Sequence, residues 1–92
     1  MGDARQQVTI VNRRGLHARA SAKFVGAVAS LPDGVSVTVT KTPNSAAGGS
    51  ILGLMMLGAA KGDTIEVAVT GEGAEGVLDD LVALVESGFG ED

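Results

Sequence analysis

Three short segments of the chain alternate apolar and polar residues with a period of two. They are QVTIV (Gln7 to Val11), VSVTVT (Val35 to Thr40) and TIEVAVT (Thr64 to Thr70), and all three are rich in β-branched residues. Successive side chains of a strand point to opposite faces of the sheet, so this pattern predicts half-buried strands. A fourth, short edge strand is expected near Asn44 to Ala47.

Two longer segments repeat their apolar residues at helical spacing. The first helix should end at LPDG, where Pro32 and Gly34 predict a turn, and Gly88 is a plausible stop signal for the last helix. A short apolar helix is expected between them, over residues 50–59. The two stripes consist of Leu16, Ala20, Phe24, Ala27, Val28 and Leu31 and of Ala74, Val77, Leu78, Leu81, Val82 and Val85.

The elements follow one another in the order β-α-β-β-α-β-α, in a single domain over residues 1–92. This order predicts an α+β fold, an open-faced β-sandwich in which a four-stranded antiparallel sheet is covered on one face by three helices. The pattern does not determine the order of the strands within the sheet. The last three residues, GED, are expected to fray.

Composition excludes several classes of function. The 92 residues include no cysteine and one histidine, so we expect neither a disulfide framework nor a metal site, and no cofactor. The net charge is −4 and the only aromatic residues are Phe24 and Phe89, which argues against nucleic-acid binding. No apolar run approaches the roughly 20 residues of a membrane span, and the N-terminus lacks a signal peptide's apolar region. We expect a cytoplasmic monomer without membrane insertion.

The single histidine occupies a position suited to anion chemistry. His17 follows Gly15 and Leu16 and opens the first helix, where free backbone N–H groups, here those of Ala18 and Arg19, favour anions. Leu16 should point inward and His17 outward, while the Arg19 guanidinium is suited to bind phosphate oxygens. A histidine at a helix start is also commonly a solvated polar residue. A hydrolase pairing of His17 with Ser21 or Ser50 is weaker, because no carboxylate lies near the histidine in sequence.

The helix expected over residues 50–59 is apolar nearly all round. Ile51, Leu54, Met55 and Gly58 share one face, and Leu52, Met56 and Ala59 occupy another. A domain with one sheet layer cannot bury both faces, so one should form an exposed partner surface, and Ile51, Leu52 and Met55 are the candidates. The other interpretation is a buried core helix with one exposed methionine. Ser50, after two glycines, is a favoured helix cap.

Two motifs resemble a known family. GLHARASAKFV resembles the active-site signature of HPr, the histidine phosphocarrier of the bacterial phosphotransferase system, and GGSILGLMMLGA resembles its second helix, which begins at a regulatory serine. The similarity runs over roughly Gln7 to Val85. It implies phosphorylation of His17 on the ring nitrogen that faces the first helix turn, with assistance from Arg19 and the backbone at Ala18 and Arg19.

The resemblance also implies the partners. Enzyme I would charge the carrier from phosphoenolpyruvate, enzyme IIA-type proteins would receive the phosphoryl group, and a serine kinase/phosphorylase would act on Ser50. One departure is Ala20, where the family commonly has proline; its loss should loosen the first helical turn slightly without removing a phosphate contact.

The segment NRR before Gly15 is more similar to variants that serve regulatory or nitrogen-related chains, so the sequence leaves open whether the carrier supports sugar uptake or signalling. The alternative is a regulatory interaction module without catalytic function, which binds partners through residues 50–59. In that case the histidine is incidental.

Overall fold

The computed structural model describes residues 2–91, which form a four-stranded antiparallel sheet and three helices. The strands pair in the order β1-β4-β2-β3, so β4 and β2 are central and β1 and β3 form the edges. The elements are β1 (Gly2–Thr9), α1 (Ala18–Ala29), β2 (Ser36–Lys41), β3 (Asn44–Ala47), α2 (Ile51–Met56), β4 (Thr64–Gly71) and α3 (Ala74–Glu86), followed by a 3-10 turn at Gly88–Gly90. The predicted element order and the open-faced α+β class are confirmed.

The core lies between one face of the sheet and the helices. Along β4 the side chains alternate between buried and more exposed positions, as its period-two pattern predicted. The helices contribute the apolar stripes that their spacing predicted, including Phe24 and Val85. The buried hydrophobic strand residues are Val8, Val37, Val39, Ile65, Val67 and Val69, and the largest buried helical side chains are Phe24, Leu54, Leu78, Leu81, Val82 and Val85.

Two predicted boundaries are wrong. The first strand covers Gly2–Thr9 rather than Gln7 to Val11, because the mostly polar residues from Gly2 onward pair with β4 through backbone groups, which leaves no apolar alternation to detect. Val11 lies in the loop that follows and is exposed. The helix predicted over residues 50–59 ends at Met56, since Gly58 adopts a left-handed backbone (φ +65°) that stops it.

The loop after β1 is held by the connection between α2 and β4. The Ile10 N–H donates to the Asp63 carbonyl at 2.9 Å, and the Gly62 N–H donates back to the Ile10 carbonyl at 2.8 Å. Ile10 itself is fully buried. These bonds fix the path of the chain toward the start of α1, where the histidine lies.

Candidate functional site

His17 stands at the N-terminus of α1, at the end of a tightly held loop. Its carbonyl accepts the first helical hydrogen bond, from the Ser21 N–H at 2.9 Å, and the preceding Leu16 N–H donates to the Ala59 carbonyl at 3.0 Å. Gly15 has φ +66°, and a Cβ there would collide with the Ala59 carbonyl oxygen. A glycine is therefore required, because any side chain would push the loop away and displace His17.

The imidazole of His17 is hydrogen-bonded to a carboxylate from the other end of the chain. Nε2 lies 2.6 Å from Oε2 of Glu91, and the exposed fractions of the two side chains are 16% and 17%. Burial alone would raise the pKa of the Glu91 carboxyl, but hydrogen bonds with His17 and Asn12 bring that pKa below its usual value. An ionised carboxylate only accepts hydrogen bonds. The proton therefore lies on Nε2, and in the neutral ring the lone pair lies on Nδ1.

This contact corrects two expectations. The His17 side chain is not simply outward-pointing, because Glu91 covers it, whereas Leu16 is buried as predicted. The chain end was expected to fray over GED, but Gly90 and Glu91 are bound against the site. Asp92, the last residue of that prediction, lies outside the described residues. No carboxylate lies near the histidine in sequence, but the fold brings the Glu91 carboxylate into contact with it.

Asn12 links the loop before His17 to the Glu91 carboxylate. Its side chain is buried, and its Nδ2 donates to the Gly15 carbonyl at 2.8 Å and to Oε1 of Glu91 at 3.1 Å. Both partners are oxygen acceptors. If the Asn12 amide were rotated by 180°, its oxygen would face these two oxygens, so the hydrogen bonds fix the orientation of the amide. Within residues 2–91, Oδ1 of Asn12 is buried and finds no hydrogen-bond partner. The unpartnered Oδ1 costs free energy, and the two hydrogen bonds that Nδ2 donates offset this cost.

The chain end that carries Glu91 is anchored by Phe89. Phe89 has a left-handed backbone (φ +58°), flanked by Gly88 and Gly90 with φ +67° and +73°. This conformation costs a non-glycine residue about 1–2 kcal/mol, but burying its ring contributes a comparable or larger stabilisation, about 1.5–3 kcal/mol. Lys23 adds a hydrogen bond from Nζ to the Phe89 carbonyl at 2.6 Å. The carboxylate is thus held in place by packing and not only by the histidine.

Arginines surround the imidazole in an open pocket of about 270 Å³. The lining residues are Arg13, Arg14, His17, Arg19 and Glu91, so the structure brings together both predicted residues and two further cations. All three arginine side chains are exposed. The guanidinium groups favour an anion with several oxygens, such as a phosphoryl group.

The start of α1 adds backbone donors to this pocket. Within the described residues the His17 side chain makes no capping hydrogen bond, so the first-turn amides, which include those of Ala18 and Arg19, are not capped by it. Both residues are exposed. These amides lie at the positive end of a twelve-residue helix, which suits an anion bound beside the ring.

Ser50 caps α2, and the two candidate serines are unsuited to a hydrolase. The Ser50 hydroxyl accepts from the Gly53 N–H at 2.9 Å, and the buried Ser21 hydroxyl donates to the Leu16 carbonyl at 3.2 Å. Among residues 2–91 neither hydroxyl is bonded to His17. The histidine and its carboxylate therefore lack a serine nucleophile.

α2 presents one exposed apolar surface. Leu54 and Leu57 are buried, whereas Ile51, Leu52, Met55 and Met56 are exposed. The predicted division of the helix into a buried and an exposed face was therefore wrong in detail, since Leu54 is buried whereas Ile51 and Met55, which were predicted to share its face, are exposed. We call these four exposed residues, Ile51, Leu52, Met55 and Met56, the apolar surface; Leu52 and Met56 are its most exposed members, at 67% and 75%.

Known proteins with the same fold and sequence pattern carry phosphoryl groups. The family described as "PTS HPr component phosphorylation site" matches residues 4–87. Phosphocarrier protein HPr of Pseudomonas aeruginosa is 42% identical over 86 residues, which cover 92% of this chain and 93% of that protein. Phosphocarrier protein NPr of Escherichia coli is 36% identical over 88 residues, covering 96% and 97% of the two chains.

A solved structure agrees with the fold over the full length. HPr-C-His from Thermoanaerobacter tengcongensis superposes with a TM-score of 0.86 at 33% identity, covering 100% of this chain and 99% of the other. Sequence and structure together define a phosphocarrier protein. The chain belongs to the HPr family of the phosphotransferase system. None of the helices among the described residues is long and apolar enough to cross a membrane.

Proposed function

We propose that His17 accepts a phosphoryl group from phospho-enzyme I and passes it to enzyme IIA-type proteins, in the cytoplasm and as a single domain over residues 1–92. The observation that carries this proposal is the bond between Nε2 of His17 and Glu91, which leaves the Nδ1 lone pair as the nucleophile in an arginine-lined pocket. Membership of a phosphocarrier family supports the same role.

The transfer needs only a lone pair and an anion-binding pocket. The Nδ1 lone pair attacks phosphorus, the bond from phosphorus to the donor atom of phospho-enzyme I breaks, and its electron pair stays with that donor atom. The proton on Nε2 stays in place, so no separate base is required. Arg19 and the first-turn amides of Ala18 and Arg19 bind the phosphoryl oxygens while the bond is made.

Intact mass spectrometry tests the proposal. The protein is incubated with enzyme I and phosphoenolpyruvate, and we expect its mass to rise by one phosphoryl group that acid treatment removes. Omitting enzyme I should leave the mass unchanged. A protein that gains no phosphoryl group under these conditions would contradict the proposal.

Arg19→Ala should slow phosphotransfer without abolishing it. Loss of charge-assisted bonds to the phosphoryl oxygens should lower the rate about ten- to hundredfold, while the helix N-terminus and Arg13 and Arg14 remain. Rapid-quench kinetics with phospho-enzyme I measure this rate. Arg5→Ala is the matched control, because Arg5 is an exposed arginine on β1 outside the pocket. Equal rates for the two variants would remove Arg19 from the site.

The apolar surface on α2 is the proposed contact for enzyme I and the acceptors, through Ile51, Leu52 and Met55. These side chains are exposed although apolar, and Leu52 is the most exposed of the three, at 67%. An exposed apolar patch on a small domain is typical of a partner surface, and methionines suit a surface that accepts several partners.

Ser50 is the proposed regulatory site of a serine kinase/phosphorylase. Its hydroxyl lies at the N-terminus of α2, next to Ile51 of the apolar surface. A phosphoryl group there adds about −1.5 to −2 charges. The helix N-terminus tolerates this charge, but a docked partner would have to desolvate it beside apolar side chains.

Ser50→Asp should therefore slow transfer from enzyme I mainly by weakening association, while the fold persists because aspartate also caps helices. We expect an affinity about tenfold lower, measured by titration with enzyme I. Ser50→Ala is the matched control: it removes the cap, at about 1 kcal/mol of stability, but adds no charge. An affinity of Ser50→Asp equal to that of wild type would reduce Ser50 to a helix cap.

A second candidate is a regulatory interaction module that binds partners through α2. The observation that favours it is the same apolar surface, and relatives named both HPr and NPr occur among the matches. Intact mass separates the two functions, because an interaction module binds its partner without gaining a phosphoryl group.

A further inference from the structure

We infer that Asn12 and Glu91 are positioning residues for phosphotransfer: the Asn12 amide holds the Glu91 carboxylate, and the carboxylate holds the proton of His17 on Nε2. This inference rests on the proposed function of His17. Neither residue belongs to the sequence motifs that point to the histidine. Glu91 contacts His17 directly, across 74 positions of the chain, and Asn12 acts on the histidine through its hydrogen bond to Glu91.

The carboxylate is not needed to attach the chain end. Phe89 is buried to 1% exposure, and Lys23 binds the Phe89 carbonyl at 2.6 Å, so the segment before Glu91 is already anchored. The Glu91 side chain then reaches Nε2 at 2.6 Å. The position of the Glu91 carboxylate is therefore explained by its hydrogen bond to the imidazole of His17.

Asn12 is oriented for the same purpose. Its amide could satisfy the Gly15 carbonyl with one hydrogen, and the second hydrogen is directed at Oε1 of Glu91. The buried Oδ1 lacks a partner in the described part of the chain, which is an unfavourable arrangement for a side chain of purely structural value. The bond to Oε1 leaves Oε2 directed at the imidazole.

The consequence for the reaction is a choice of tautomer. A neutral imidazole in solution carries its proton on either nitrogen, and only the Nε2–H form has its lone pair on Nδ1. When phosphorus bonds to Nδ1 the ring becomes cationic, and the same carboxylate stabilises it. On transfer to the acceptor, the phosphorus–Nδ1 bond breaks, its electron pair returns to Nδ1, and Nε2 keeps its proton throughout.

Nitrogen-15 NMR of the full chain tests this inference before any enzyme is added. The sole histidine gives one pair of ring nitrogen signals, whose shifts report where the proton lies in the neutral ring. We expect the Nε2–H tautomer in wild type and a mixture in Glu91→Ala. Glu91→Gln should restore the wild-type tautomer in part, because its carbonyl oxygen still accepts from Nε2. Asn12→Ala should shift the ratio in the same direction as Glu91→Ala.

Kinetics with enzyme I give the second readout. Glu91→Ala should lower kcat roughly tenfold, with KM for enzyme I unchanged. The matched control is Glu86→Ala, which removes an exposed glutamate at the end of α3 that does not line the pocket. A wild-type tautomer in Glu91→Ala, or a rate equal to that of Glu86→Ala, would overturn the inference even though wild type is phosphorylated. A wild type that takes up no phosphoryl group contradicts the proposed function instead.

Discussion

His17→Ala is expected to gain no phosphoryl group from enzyme I and phosphoenolpyruvate. The chain has no other imidazole, so no ring nitrogen remains to attack phosphorus. The fold should persist, because His17 begins α1 through its backbone carbonyl, which alanine also supplies. Intact mass and urea unfolding of the same preparation measure the two effects. A phosphorylated His17→Ala protein would place the acceptor on another residue.

Leu52→Glu is expected to weaken the complex with enzyme I strongly while the domain stays folded. Leu52 is 67% exposed, so a glutamate is solvated in the free protein but must be desolvated against an apolar partner surface. We expect an affinity at least about tenfold lower, since central contacts of an interface each contribute more than about 1–2 kcal/mol. Isothermal titration with enzyme I measures it.

Two control variants separate docking from folding. Leu54 lies on the same helix but is fully buried, so Leu54→Ala should lower the free energy of unfolding by about 2–5 kcal/mol. Ala83→Glu adds the same charge at an exposed position on α3 and should bind normally. If Leu52→Glu lowers the free energy of unfolding by as much as Leu54→Ala does, Leu52 belongs to the core and the docking proposal fails.

The sheet and the long helices could be predicted because their signals are local. The alternation in β4 and the stripes of α1 and α3 directly reflect which side chains face the core. The start of β1 could not be predicted, because Gly2 to Gln7 pair through backbone groups and only Val8 of the strand is buried. A polar edge strand leaves little period-two pattern to detect.

The short helix α2 was predicted with its end and faces wrong. Its six residues are nearly all apolar, so periodicity does not distinguish the core face from the exposed one. The sheet decides this, by placing Leu54 and Leu57 inward. Gly58 marks the true end, but a glycine within an apolar run is compatible with either a helix or a stop.

Half of the candidate site was predictable from sequence. His17 and Arg19 follow from a glycine, a helix start and clustered basic residues, which are neighbours in the chain. Glu91 and Asn12 come together only after folding, and the acidic, glycine-rich composition of the chain end predicts a frayed tail, which the structure does not show for Gly90 and Glu91. Phe89 could have indicated that this segment is anchored. It is one of only two aromatic residues in the chain, and a large apolar side chain between two glycines favours burial against the core.

The most direct test of the account locates the phosphoryl group on the ring. The protein is labelled with nitrogen-15 histidine, phosphorylated by enzyme I and phosphoenolpyruvate, and its ring nitrogens are compared by NMR before and after phosphorylation. Because the chain has a single histidine, the signals need no assignment to a residue. We predict that phosphorus bonds to Nδ1 of His17 while Nε2 keeps its proton. Phosphorus on Nε2, the nitrogen that Glu91 occupies, or no phosphorus on the ring would contradict the account.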